Sequence, residues 1–130
     1  MEARKHIHQM TKSEINCLRR IMRKQHYRFT EYSMDRVITR GITNYEVMGA
    51  IRNGEIIEFH VAKGSPRVRL RDETTNKKNQ CTCVVIDLVS EIIATSYKNH
   101  MNDKHWKLNK ELYSNDLDVI DIISQTVVYK

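Results

Sequence analysis

Proline occurs once and glycine four times in 130 residues. A chain so poor in both is neither collagen-like nor a low-complexity linker, and its 40% hydrophobic content argues against disorder. The three cysteines, Cys17, Cys81 and Cys83, are an odd number, and Cys81-x-Cys83 has no second pair with which to complete a zinc site. Free thiols are therefore expected, with Cys81 and Cys83 as small packing residues on one face of a strand. No apolar run approaches the roughly 18 residues that span a bilayer. The opening Met1-Glu2-Ala3-Arg4-Lys5-His6 lacks the apolar core of an export signal. No membrane partner is expected, and the cytosol is the expected compartment. The phosphate-cradling patterns G-x-x-x-x-G-K-[ST] and G-x-G-x-x-G are missing, as is H-E-x-x-H. The pairs His6/His8 and His100/His105 come without a convincing third ligand and read as surface histidines. Cys17 has no nearby histidine signature for nucleophilic catalysis. Neither a metal nor a cofactor is expected.

What is present is positive charge. The formal net charge is +6, unevenly spread: residues 111–130 hold one Lys and four acids, leaving 21 of the 22 basic and 12 of the 16 acidic residues to the rest. A basic body with an acidic end favours phosphate-rich or acidic partners, although ordinary solubility accounts for it equally well.

The length fits one domain, large enough to bury a core without disulfides or metals. The clearest local grammar is Gly41-Ile42-Thr43-Asn44-Tyr45-Glu46-Val47. Thr43 and Glu46 have capping-box spacing, Ile42 and Val47 form a hydrophobic staple, and Gly41 ends the preceding helix in a left-handed cap. This predicts a helix over 44–52, closed by Asn53-Gly54. Thr11-Lys12-Ser13-Glu14 repeats the box and predicts a helix over 12–25 after a loose leader of ten residues, with Ile15, Leu18, Ile21 and Met22 inward and Arg19, Arg20, Arg23 and Lys24 elsewhere. Thr30 caps a short helix over 31–40, on which Arg36 and Arg40 stack four residues apart.

From Gly54 the apolar period switches to two, predicting strands near 55–61, 66–72, 81–88 and 92–98. In the first hairpin Phe59 pairs with Val68 and Ile57 with Leu70, facing inward. His60 then lies opposite Arg67 and Glu58 opposite Arg69, facing out. Helices over about 102–113 and from Asp116 onward follow, the latter with Leu117, Ile120, Ile122 and Ile123 as its apolar side, and Val127-Val128-Tyr129 reads as a short strand. The fold class is α+β: N-terminal helices packed on a four-stranded antiparallel sheet, with one or two C-terminal helices.

The stripe Arg67/Arg69/Arg71 carries the most suggestive chemistry. Alternate strand residues stand roughly 6.7 Å apart, close to the phosphate spacing of an extended single strand. With Glu58 and His60 on the same face, the parts suffice for metal-free RNA cleavage: one group takes the 2′-hydroxyl proton, another protonates the leaving oxygen, and arginine stabilises the phosphorane. A cross-strand ion pair between Glu58 and Arg69 on a solvated face explains the same residues without chemistry.

Phe29-Thr30-Glu31-Tyr32-Ser33-Met34-Asp35-Arg36-Val37-Ile38-Thr39-Arg40-Gly41-Ile42-Thr43 resembles the opening signature of the bacterial and phage family known as domain of unknown function 4258. The likeness continues through Val47, Ile51 and 53–58, and resumes at 83–87 and 93–97, covering about half the chain. That family is similar to RelE-type toxins and the barnase, EndoU, colicin and RelE group of small ribonucleases. The resemblance implies helices against a four-stranded antiparallel sheet, and RNA cleavage. It brings Tyr97 into the candidate catalytic set beside Glu58, His60, Arg67 and Arg69, and matches Arg36 and Arg40, which with Arg71 and Lys98 form the candidate nucleic-acid contacts. The family's His is replaced here by Tyr32.

Two readings result. One is a metal-independent ribonuclease of toxin type acting on RNA. The other is a catalytically inactive module of a phage or mobile element that binds nucleic acid or a protein, an antitoxin or a host protein. A homodimer is compatible with either.

Overall fold

The computed structural model describes residues 3–101, 113, 114 and 116–127. In chain order these form strand β1 (Ala3–His6), one turn of 3-10 helix (Ile7–Gln9), helix α1 (Lys12–Lys24), β2 (Arg28–Phe29), α2 (Glu31–Thr39), α3 (Asn44–Asn53), β3 (Glu55–Ala62), β4 (Ser65–Asp72), β5 (Gln80–Asp87), β6 (Ile92–His100) and α4 (Val119–Thr126). No described helix is long and apolar enough to cross a membrane.

The capping chemistry forms as the spacing requires. Thr11 and Glu14 exchange side chain to backbone hydrogen bonds at the start of α1, and Thr43 and Glu46 do so at the start of α3. Ile42 and Val47, the staple, are both buried. Gly41 adopts φ +67°. Its N–H donates to the Ile38 carbonyl and that of Ile42 to the Val37 carbonyl, a complete Schellman closure of α2.

The sheet corrects the four-stranded antiparallel expectation. Among the described residues it has six strands in the order β1-β3-β4-β5-β6-β2, and it is mixed, because β2 runs parallel to β6. The leader expected to be loose supplies β1, which pairs antiparallel with β3 from Ala3↔Val61 to His6↔Glu58. Both added strands are short and lack alternating apolar residues, so pairing with a longer neighbour determines them rather than local propensity.

Within the first hairpin Glu58↔Arg69, Phe59↔Val68 and His60↔Arg67 pair as expected. The expected Ile57–Leu70 pair does not form. A register shift between Ile56 and Glu58 puts Ile56 opposite Leu70, with Ile57 as the extra residue. Lys63 and Gly64 at the hairpin tip both have positive φ, as a two-residue type I′ turn requires.

One sheet face carries the core. Ile56, Phe59, Val68, Leu70, Val84, Ile86 and Ile93 pack there against Leu18 and Ile21 of α1, Val37 of α2, Val47 and Ala50 of α3, and Val119 and Ile123 of α4. In the last helix Val119 and Ile123 point inward while Ile120 is exposed, and Asp118 is the N-cap. The expected helix over 102–113, apart from Tyr113, and the expected strand beyond Val127 lie outside the described residues.

Candidate functional site

Strand alternation sends Glu58, His60, Arg67, Arg69, Arg71 and Tyr97 to the sheet face opposite the helices. The register shows how: Arg69 pairs with Glu58 and Val85, Arg71 with Cys83, and Cys83 with Tyr97. All five candidate catalytic residues therefore share one face.

That face is not the open, solvated surface expected. Glu58 is only 1% exposed and His60 6%. The Glu58 carboxylate is held from two sides. Arg4 Nη1 lies 3.1 Å from Oε2 and 3.2 Å from Oε1, and Arg69 Nε lies 2.9 Å from Oε1. Arg69 Nη1 also donates to the Tyr97 hydroxyl, and its guanidinium lies 5.6 Å from that ring's centroid. Burial, with Cys83 and Glu58 adding to it, pushes the Tyr97 hydroxyl well above the ordinary phenol range despite the Arg69 charge. The Arg67 Nε pairs with Asp87 at 3.0 Å, and Asp87 also accepts from Ser65 and from the backbone N–H groups of Val89 and Ser90.

His60 sits among these charges. Burial, then the guanidiniums of Arg4, Arg69 and Arg67, push its imidazole down to about 4, with only Asp87 opposing. It is therefore neutral at pH 7, and its buried Nδ1 has no hydrogen-bond partner among the described residues. Burial raises the Cys83 thiol to about 11, so it is protonated as well. A neutral imidazole beside a carboxylate is suited to proton transfer only if a reacting atom can reach it. Here the carboxylate is shielded by two guanidiniums from neighbouring strands.

The candidate nucleic-acid residues do not converge. Arg71 lies on the Glu58 face, 2% exposed, donating to the His100 and Met101 carbonyls and approaching Cys81 Sγ at 3.6 Å. Arg36, Arg40 and Lys98 belong to the helical side. Arg36 lies over the Tyr32 ring, Arg40 Nη1 donates to the Ser96 carbonyl at 2.7 Å, and Lys98 bonds Glu46 and the Thr82 hydroxyl. Tyr32 is exposed on α2, across the sheet from Glu58, so it is not a substitute partner for that carboxylate. Of the pair His6/His8, His8 is exposed as expected but His6 is buried, its ring 4.8 Å from that of His8 and edge-on to Tyr113 at 5.6 Å.

Two features escaped the sequence. Arg4 completes the Glu58 clamp from β1, and Ala3-Arg4-Lys5-His6 has no apolar residue beyond Ala3 to signal a strand. The second is a groove between the C-terminal ends of α1 and α3, with a volume of about 550 Å³. The clustering of Arg19 and Arg23 on α1 was its only trace in the sequence.

Comparison with models of known protein families, with curated proteins and with solved structures finds no match to this chain in any of the three.

Proposed function

We propose that this chain is a non-catalytic binding module that engages an acidic partner macromolecule through its basic surface. The observation that carries this reading is the clamp on Glu58. A general base must be reachable by the proton it takes. This carboxylate is 1% exposed and neutralised by Arg4 and Arg69. Removing one partner of such a pair leaves an uncompensated buried charge, so a structural role accounts for Glu58, Arg4 and Arg69. Exposed cations, by contrast, include Arg20, Arg23 and Lys24 on α1 and Arg52 on α3, all open to solvent.

The ribonuclease reading keeps one observation on its side, the gathering of Glu58, His60, Arg67, Arg69 and Tyr97 on a single face, together with the resemblance to the RelE-like families. Tyr32 in place of the family's His weighs against it.

Binding to heparin, a generic polyanion, tests the module reading. Affinity measured between about 50 and 300 mM salt should fall steeply, because each neutralised anionic group releases counterions. Absence of binding at the low end of that range would remove the basic surface from consideration.

A further inference from the structure

We infer that the groove between α1 and α3 seats an acidic amphipathic helix of a partner protein. This rests on the module reading and names the partner class.

The groove has a cationic rim and an apolar floor. Arg19 and Arg23 stand one helical turn apart on α1, and Arg52 faces them from the last turn of α3. The floor is Met22, Met48 and Ile51. Among the described residues no Asp or Glu lines it.

The positive charge exceeds what the local structure requires. Basic residues near a helix C-terminus offset a partial charge of about −0.5, and two such ends meet here. Glu91 lies behind the groove, accepting a hydrogen bond from the His26 N–H. Three guanidiniums against two helix ends and one carboxylate leave roughly one positive charge in excess, before the exposed Arg20 and Lys24 of the same helix are counted. The rim is thus complementary to an acidic ligand.

The apolar floor favours an acidic amphipathic helix over a nucleic acid. Single-stranded RNA is held by stacking bases on aromatic or guanidinium planes, which the rim arginines and His26 supply, but it makes little use of an aliphatic floor. Here the floor is thioether and aliphatic, with Met48 and Ile51 half-buried above the buried Met22. Two rings line the groove: His26 is exposed, and Tyr27 is fixed by its hydroxyl, which donates to Gln25 Oε1 at 2.6 Å, while Gln25 donates in turn to the Leu88 carbonyl. Two methionines form a deformable apolar bed that adapts to leucine-like anchors spaced along a helix. Carboxylates flanking those anchors meet the arginines of the rim.

Fluorescence anisotropy with a labelled helical peptide of about 16 residues tests this, with Leu at i, i+3, i+4 and i+7 and Glu on the remaining faces. The full chain should bind it with Kd on the order of 1–10 μM. A scrambled peptide of equal charge should bind at least about tenfold more weakly, and a Lys-for-Glu version should not bind. Met48→Glu should abolish binding. Because Met48 is half-buried, the exposed pair Arg23→Glu/Arg52→Glu serves as the second variant, and it should weaken binding by roughly tenfold or more. Equal binding of the scrambled peptide, or no loss in the double variant, overturns the proposal. So does a short oligouridylate that displaces the peptide and depends on Arg23 and Arg52, which would assign the groove to RNA. If heparin binds and the peptide does not, the helix partner falls while the module reading stands. If neither binds, both fall.

Discussion

Glu14 Oε2 accepts a hydrogen bond of 3.1 Å from the backbone N–H of Val119, 105 residues away in the chain. The same carboxylate accepts from Lys5 Nζ at 2.8 and 2.9 Å and from the Thr11 N–H at 2.9 Å. One buried side chain thus caps α1, holds β1 through Lys5 and receives the first turn of α4. The capping box at Thr11 was legible in the sequence because its partners lie three residues apart. The tie to Val119 was not, because nothing local marks it.

Replacing Glu14 with Ala should destabilise the protein by about 3–5 kcal/mol, since it leaves the Lys5 ammonium buried and unpaired. Lys5→Met together with Glu14→Leu should recover much of the loss. Burial raises the Glu14 pKa, but the hydrogen bonds from Lys5, Thr11 and Val119 outweigh it and hold the group below its ordinary value. Its contribution is therefore present above the unfolded carboxylate range near 4.5 and is lost as pH falls through the lower folded value. Urea titrations of wild type and variant at pH 7 and at acid pH check both statements.

His60 gives a separate pH signature. Its folded pKa is near 4 against an ordinary 6.5, so between those values the unfolded chain binds the extra proton. Stability should then fall as pH drops from 6.5 to 4, by up to about 3 kcal/mol. His60→Leu should remove that slope, leaving the acid limb due to Glu14. A wild-type stability that is flat over this range would contradict the buried, neutral imidazole.

The two glycines that close helices should respond differently to alanine. A Cβ at Gly54 would lie 2.3 Å from the Ala50 carbonyl oxygen and 2.9 Å from that of Arg71, both backbone atoms. Gly54→Ala should cost about 3 kcal/mol or more. At Gly41 the space is open and only the φ of +67° is strained, so Gly41→Ala should cost about 1–2 kcal/mol. Thermal unfolding of the two variants gives the order.

The parts of the fold that the sequence made legible are those governed by neighbours in the chain. Gly41 closed α2, Thr43/Glu46 opened α3, and the Phe59 and Val68 alternation set their pairing in the hairpin. The bulge at Ile57 was hidden because Ile56 and Ile57 are both apolar, so either fits opposite Leu70. The burial of Glu58 was hidden because half of its clamp, Arg4, is 54 residues away on an edge strand without a periodic signal. Sequence alternation put the candidate residues on one face, but it carried no information about what closes over them.

The measurement that bears most directly on the account is cleavage of RNA by the purified protein in EDTA, comparing wild type with His60→Ala. A clamped Glu58 and a buried His60 predict no cleavage above a heat-inactivated control, in either protein. Cleavage by the wild type that falls by roughly 10²–10⁴ in the variant, the usual effect of losing a general acid or base, would contradict the account and make the Glu58 face a catalytic site.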